Sequence, residues 1–171
     1  NKGRRKNRIL KAITIALHET IIEGFSENGL ANNIRRRLKA FYPKKRLKRP
    51  LKRIRLRHLE KSYYEGLSAV HLIAALNDKE AFRWLQKTVD GLTSHQLPTA
   101  PSYSFLRGKD DFNWTPKHFA ALHRDSEIYH YLPSEKNSWE KNNHGSPTDF
   151  FQLTHPDDPS NHVTVSSHSE I

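Results

Sequence analysis

The chain has 171 residues, of which 35% are hydrophobic, and it carries a formal net charge of +11. This length suits one domain with its own core, although the hydrophobic share lies below that of an ordinary globular protein. The absence of cysteine excludes a disulfide framework, a thiolate zinc site and a cysteine nucleophile, and no apolar stretch has the length of a membrane span or of a signal-peptide core.

Charge divides the sequence into two parts. Residues 1–58 hold 19 Lys and Arg against three acids, a formal charge of +16, whereas residues 59–171 hold ten basic and 15 acidic residues, a charge of −5. A strongly basic arm therefore precedes a mildly acidic body, and such an arm favours an anionic partner. Methionine is absent even at position 1, from which we expect that the sequence does not start at a natural N-terminus.

The first predicted element is an amphipathic helix over residues 7–25. Apolar side chains recur every four residues, and two more, Leu10 and Ile22, widen the same stripe. The recurring residues are Ile9, Ile13, Leu17, Ile21 and Phe25. Basic residues near the start and acids near the end oppose the helix dipole, so we expect packing to hold the helix. Gly24, Asn28 and Gly29 predict its end.

A second helix is predicted to follow and to end before Pro43. Its apolar positions are Leu30, Ile34, Leu38 and Phe41. After Pro50, the spacing of Leu51, Ile54 and His58 predicts a short helix that carries these three residues on one face.

Residues 44–57 form a run that is dense in basic residues and contains no acid. Three interpretations are open: a solvated helix face, a nuclear import signal, and a surface that binds nucleic-acid phosphates or acidic lipid. We rank anion contact above import, and neither excludes the other. The candidate residues for anion binding or import are Lys44, Lys45, Arg46, Lys48, Arg49, Lys52 and Arg53.

Two later segments, 66–76 and 113–123, align without gaps. In each, a histidine stands nine residues before a glutamate that opens a second predicted helix. The pairs are His71 with Glu80 and His118 with Glu127. This matched spacing indicates an internal repeat of two helices.

The rest of this part of the chain is less regular. Residues 91–110 contain two prolines, two glycines and several Ser and Thr, which predicts an inserted loop. A degraded third copy of the repeat spans residues 146–151, with Asp149 in the position of the histidine. Residues 156–171 are predicted to form an extended tail.

These segments resemble the ankyrin repeat, whose period lies near 33 residues. The resemblance is most specific at Thr115-Pro116-x-His118 with Ala120-Ala121, and it covers about residues 65–155. It implies an all-α fold: an ankyrin-like helical solenoid over residues 60–155, with residues 1–59 as an atypical basic N-terminal helical cap.

The residue types suit such a repeat. The hydroxyls of Ser68, Thr115 and Ser146 stand where they can cap the first helix of each unit. Pro116 and Pro147 fit the first helical position, where no N–H is needed. One unit is too small to bury its own apolar face, so we expect units to stack and the helices before residue 60 to cover the first.

The resemblance implies a non-enzymatic module that binds a protein partner through its turn tips and inner-helix face. The corresponding residues are Tyr64, Glu65, Leu67, Ala75 and Leu76 in the first repeat and Asp111, Phe112, Trp114, Leu122 and His123 in the second. In that family, histidines at the positions of His71 and His118 bond backbone and link repeats, so we assign neither a catalytic role. We predict no cofactor and no metal site, because the chain has no His-Glu-x-x-His spacing and no Cys/His pair.

Two other functions stay open on the sequence. One is a substrate-recognition segment of a larger enzyme, for example a bacterial effector that is secreted and acts inside a host cell. The other is a nucleic-acid-binding protein in which the repeats are a scaffold, which steep weakening of binding by salt would favour. We expect an intracellular location, and a nuclear one if the basic run is an import signal.

Overall fold

The computed structural model describes residues 2–41, 54–93, 104–123, 127–133 and 145–154. Within these ranges the chain is helical, apart from turns and one isolated β-bridge between Tyr63 and Leu67, which confirms the predicted all-α class. The helices are α1 (Lys2–Glu23), α2 (Glu27–Leu38), α3 (Leu56–Glu60), α4 (Ala69–Leu76), α5 (Lys79–Thr93), α6 (Pro116–Ala121), α7 (Glu127–Tyr131) and α8 (Pro147–Thr154). None of these described helices is long and apolar enough to cross a bilayer.

Helix α1 starts five residues before the predicted helix 7–25 and ends at Glu23. Gly24 takes a φ of +105°, a conformation that favours glycine and breaks the helix. Asn28 and Gly29, which the sequence places at this break, lie inside α2 instead. The reason is a cap that the sequence analysis did not include: the Ser26 hydroxyl accepts a hydrogen bond from the Gly29 N–H at 3.0 Å and starts α2.

The apolar stripe of α1 is buried in its second half, at Leu17, Ile21 and Phe25. The expectation that Ile22 widens this stripe is wrong, because its side chain is 63% exposed. Helix α1 packs on α2 and on α4, and an exposed Ile22 faces neither of them.

Helix α2 packs along α1 and buries three of its four predicted apolar positions, Leu30, Ile34 and Leu38. It ends at Leu38, before the fourth, and a turn follows. Across the pair, Glu19 accepts hydrogen bonds from Arg36 and Arg37. The Arg37 hydrogen bond is the main reason that the pKa of Glu19 is lowered.

Asp78 joins the α1–α2 turn to the next pair of helices. One carboxylate oxygen accepts a hydrogen bond from the Phe25 N–H at 3.2 Å. The other accepts from the Glu80 and Ala81 N–H groups, each at 3.1 Å, at the start of α5. One side chain therefore caps α5 and holds the end of α1 against it.

The helices α1, α4, α6 and α8 pack on one another in that order. Alanine side chains at Ala16, Ala74 and Ala120 are buried in this row and let the backbones approach closely. Helices α5 and α7 follow α4 and α6; Leu85 is buried in α5, and Leu132 is buried directly after α7.

The predicted loop 91–110 is only partly a loop. Helix α5 continues to Thr93, which makes the first three residues of that segment helical. A short 3-10 helix spans Ser104–Leu106, and its Phe105 and Leu106 are buried in the core. The short helix predicted after Pro50 begins only at Leu56 in α3. The predicted tail, 156–171, lies outside the described residues.

His18 is buried in the second half of α1, with 4% of its surface exposed and an edge-on contact to the Tyr63 ring. Its Nε2 atom is buried and has no hydrogen-bond partner in the part of the chain that the structure describes. Burial, with a smaller contribution from His71, lowers the pKa of His18 to about 4. The imidazole is therefore neutral in the folded protein at pH 7.

We predict that His18→Leu flattens the dependence of stability on pH between about 6.5 and 4. The unfolded chain binds a proton at this group below its ordinary pKa of 6.5, whereas the folded chain does so only near pH 4. The contribution of this one group to stability is therefore fully present above pH 6.5 and is lost as the pH falls toward 4, by about 3 kcal/mol.

The measurement is urea unfolding of the parent and the variant at pH 7 and at pH 4.5. His58, whose pKa is also lowered to about 4, stays in both proteins, so the variant should lose less stability than the parent but still lose some. Equal losses of stability in the parent and in the variant would contradict the lowered pKa of His18.

Candidate partner-binding surface

The first turn of this surface precedes α4. The Tyr63 N–H donates to the Leu67 carbonyl at 3.2 Å, and the Leu67 N–H donates to the Tyr64 carbonyl at 3.2 Å. Between them the backbone is left-handed, with φ of 45° at Tyr64, 61° at Glu65 and 77° at Gly66. This conformation lifts the Tyr64 ring into solvent, where 76% of the residue is exposed.

The second turn precedes α6 and is built around a buried carboxylate. Asp110 accepts hydrogen bonds from the Phe112 N–H at 2.9 Å and from the Trp114 N–H at 2.8 Å. Its own N–H donates to the Trp114 carbonyl at 2.9 Å. Phe112 stands at the tip of this turn and is 64% exposed.

The two turns touch each other. The Asp111 N–H donates to the Glu65 carbonyl at 2.9 Å. Gly66 lies so close that a Cβ atom placed on it would be 2.6 Å from the Asp111 Oδ1 and 2.8 Å from its nitrogen. The exposed rings of Tyr64 and Phe112 therefore stand on neighbouring turns that one backbone hydrogen bond joins.

His71 connects its own helix to the following turn. Its Nδ1 accepts from the Ser68 N–H at 3.2 Å, so its Nε2 carries the proton and donates to the Trp114 carbonyl at 2.9 Å. Burial lowers the pKa of His71, although the hydrogen bond to Trp114 and the charge of Asp110 oppose that shift.

The next unit repeats this geometry. The Thr115 N–H donates to the His118 Nδ1 at 3.0 Å, and the His118 Nε2 lies 3.2 Å from the Gly145 carbonyl oxygen. The Ser68 and Thr115 hydroxyls accept from the His71 and His118 N–H groups, each at 3.4 Å, which confirms the predicted hydroxyl caps. The contacts of the two imidazoles with backbone carbonyls confirm that these histidines link successive turns. In the third copy, Asp149 accepts from the Ser146 N–H at 2.9 Å in place of the histidine.

A third histidine uses the same cap, and the sequence analysis missed it. The Arg55 N–H donates to the His58 Nδ1 at 2.9 Å at the start of α3. His58 stands three residues after the N-cap, the same spacing as in the other two caps, but Arg55 lacks the hydroxyl that marks them in the sequence.

The inner-helix part of the surface lies at the ends of α4 and α6. Leu76 is 50% exposed and Leu122 is 48% exposed. The His123 Nε2 lies 2.7 Å from the Ala75 carbonyl oxygen, which brings these two helix ends together.

The ten candidate binding residues divide by exposure. Six are exposed and available to a partner: Tyr64, Glu65, Leu76, Asp111, Phe112 and Leu122. Four are half-buried: Leu67, Ala75, Trp114 and His123. Trp114 packs its ring on Phe119 and Phe150, at centroid distances of 5.1 and 5.2 Å, so it mainly supports the turn.

Two further exposed apolar residues were not predicted, Ile22 and Leu153, which are 63% and 80% exposed. Leu153 stands four residues after Asp149, which takes the place of the histidine in α8. Ala75 and Leu122 occupy that same position after His71 and His118. The shared spacing extends this position of the surface to α8.

The candidate anion-binding residues Lys44, Lys45, Arg46, Lys48, Arg49, Lys52 and Arg53 lie outside the described residues. Among the residues that the structure describes, no group of three or more His, Asp or Glu side chains is placed to hold a metal ion. Comparison of the chain with protein-family models, with curated proteins and with solved structures found no match.

We predict that Gly66→Ala destabilises the protein by about 2 kcal/mol or more, because alanine must adopt a positive φ and its Cβ meets Asp111. Gly91→Ala is the matched control. No atom lies within 4 Å of a Cβ at Gly91, which is in α5, so that variant should gain roughly 0.5–1 kcal/mol. Thermal melting distinguishes the two, and a Gly66→Ala protein that melts like the parent would refute the close turn contact.

We predict that His118→Ala costs about 1–3 kcal/mol, because it removes both links of the imidazole and leaves buried backbone groups unpaired. Truncation of an exposed side chain, Lys87→Ala in α5, should change stability by no more than about 0.5 kcal/mol. Denaturant unfolding provides the measurement. A His118→Ala protein that melts like the parent but loses a measurable turnover would show that the residue is catalytic.

Proposed function

We propose that this chain is an ankyrin-type repeat module that recognises a protein partner and has no catalytic activity of its own. In this proposal α4–α5 and α6–α7 are two repeats, α8 opens a third, and α1–α2 form the N-terminal cap. The capped helices, the histidine links between turns and the row α1–α4–α6–α8 support this arrangement.

The observation that carries the proposal is a set of exposed apolar side chains on two linked turns and two adjoining helix ends. Tyr64 and Phe112 stand at the tips of two linked turns, and Leu76 and Leu122 stand at two adjoining helix ends. Exposed apolar groups that cluster on neighbouring turns and helix ends, beside a core that is otherwise closed, are typical of an interaction surface. Aromatic residues are also the type that most often dominates binding energy in protein interfaces.

The hydrogen bonds of His71 do not suit a general base. A general base needs a free ring nitrogen within hydrogen-bond reach of a substrate. In His71 one ring nitrogen accepts from its own cap and the other donates to the Trp114 carbonyl. Such a ring holds structure together and offers no lone pair to a substrate.

The proposal is tested by site-specific photocrosslinking in cell extract. Benzoylphenylalanine is introduced at Tyr64 or Phe112 on the surface, and at Arg83 on exposed α5 as the control position. Both surface positions should give the same protein adduct and Arg83 should give none.

A second variant ties that adduct to the surface. Leu122→Glu places a charge on an exposed surface position and should abolish the adduct without changing the melting temperature, whereas Lys87→Glu should leave the adduct intact. An adduct that survives Leu122→Glu, or that forms equally from Arg83, would refute the proposed surface.

A further inference from the structure

The strongest unbalanced charge among the described residues lies at the start of α1. Residues 2–18 contain six Lys and Arg and no acid. Residues 2–8 are all exposed, so the first two turns of the helix project beyond its packing partners. Arg4, Arg8 and Lys11 are spaced so that they share one face of this helix.

The end of α2 adds to the same charge. Arg35, Arg36 and Lys39 are exposed there. A cleft of about 310 Å³ lies between the two helices, with Arg8, Lys11 and Arg37 among the residues that line it. Glu19 forms ion pairs with Arg36 and Arg37.

This arrangement costs stability in the absence of a partner. Cations in the first turn of a helix oppose its dipole. Like charges on successive turns also repel one another. A polyanion that lies along this surface would remove both penalties.

We infer that the exposed basic surface of α1 and α2, centred on Arg8 and Lys11, binds the phosphate backbone of nucleic acid. An α-helix has a diameter of about 10–12 Å, which matches the width of about 12 Å of the major groove of B-form DNA. The projecting turns present cations along a helix of that size, and backbone phosphates are the ligand that such cations neutralise without sequence preference.

The composition of the projecting turns favours nucleic acid over two other anionic partners, a membrane surface and an acidic protein. A helix that lies on a membrane needs an apolar face. Apart from Gly3, residues 2–8 are all Lys, Arg or Asn, so they offer no such face. A protein interface usually has buried aromatic or aliphatic residues at its centre, and these turns offer none. The basic surface also shares no residue with the turn tips and inner-helix face, so this inference is independent of the proposed protein partner.

The test measures binding of the full chain to a fluorescein-labelled 20-base-pair DNA duplex by anisotropy at several salt concentrations. Arg8→Gln with Lys11→Gln should weaken binding by roughly tenfold or more at 0.1 M salt, and should lower the slope of log affinity against log salt by about 1–2. The matched control, Arg83→Gln with Lys87→Gln, removes one Arg and one Lys from exposed positions on α5 and should change neither quantity appreciably.

Three results would overturn the inference. One is equal loss of duplex binding in the two double variants, with both proteins folded by circular dichroism. Another is loss only when Lys44, Lys45, Arg46, Lys48 and Arg49 are replaced by Ser, which would assign binding to that segment instead. The third is tighter binding to poly-L-glutamate or to phosphatidylserine vesicles than to the duplex at equal anion concentration, which would favour an acidic protein or a membrane surface.

Discussion

A hydrogen bond from a buried histidine to the carbonyl of the following turn is the contact on which the arrangement of this protein depends. The geometry has two requirements. The ring must accept at Nδ1 from the residue that caps its own helix, and this fixes the proton on Nε2, where it can donate outward. His71 meets both conditions and reaches Trp114, and His118 occupies the same place opposite Gly145. Each link joins a buried imidazole to a backbone carbonyl of the following turn, so the position of one turn sets that of the next.

Helix α1 covers the face of α4 that would otherwise be exposed at the end of the row α4–α6–α8. Helix α1 covers α4 with apolar and small side chains, and Asp78 fixes its end by accepting from Phe25. This packing holds a helix whose charges oppose its dipole. The second half of α1 packs against its neighbours and has a structural role, whereas the first half is exposed and carries the basic charge.

Much of this could be predicted from the sequence, and the failures have physical causes. The hydroxyl caps, the helix-opening prolines and the linking histidines follow from local chemistry and were predicted. The sequence predicts a helix end at Gly29 because glycine usually marks one, but the Ser26 hydroxyl three residues earlier overrides that preference. Ile22 fits the apolar period and is nevertheless exposed, because periodicity cannot tell which side of a helix two neighbours will cover. The burial of His18 depends on helices that are distant in sequence, and no local pattern encodes it.

The linear packing of the helices gives the protein an order of unfolding. Helix α8 packs on α6 and stacks Phe151 on Tyr129 of α7, at a centroid distance of 4.1 Å. Helix α6 packs on both α4 and α8, so it has neighbours on two sides of the row. A terminal element can then detach while the rest stays folded, whereas the loss of α6 separates α8 from everything before it. Among the described helices, local opening should therefore be easier at α8 than at α6, and the molecule behaves as a chain of coupled units with graded opening energies.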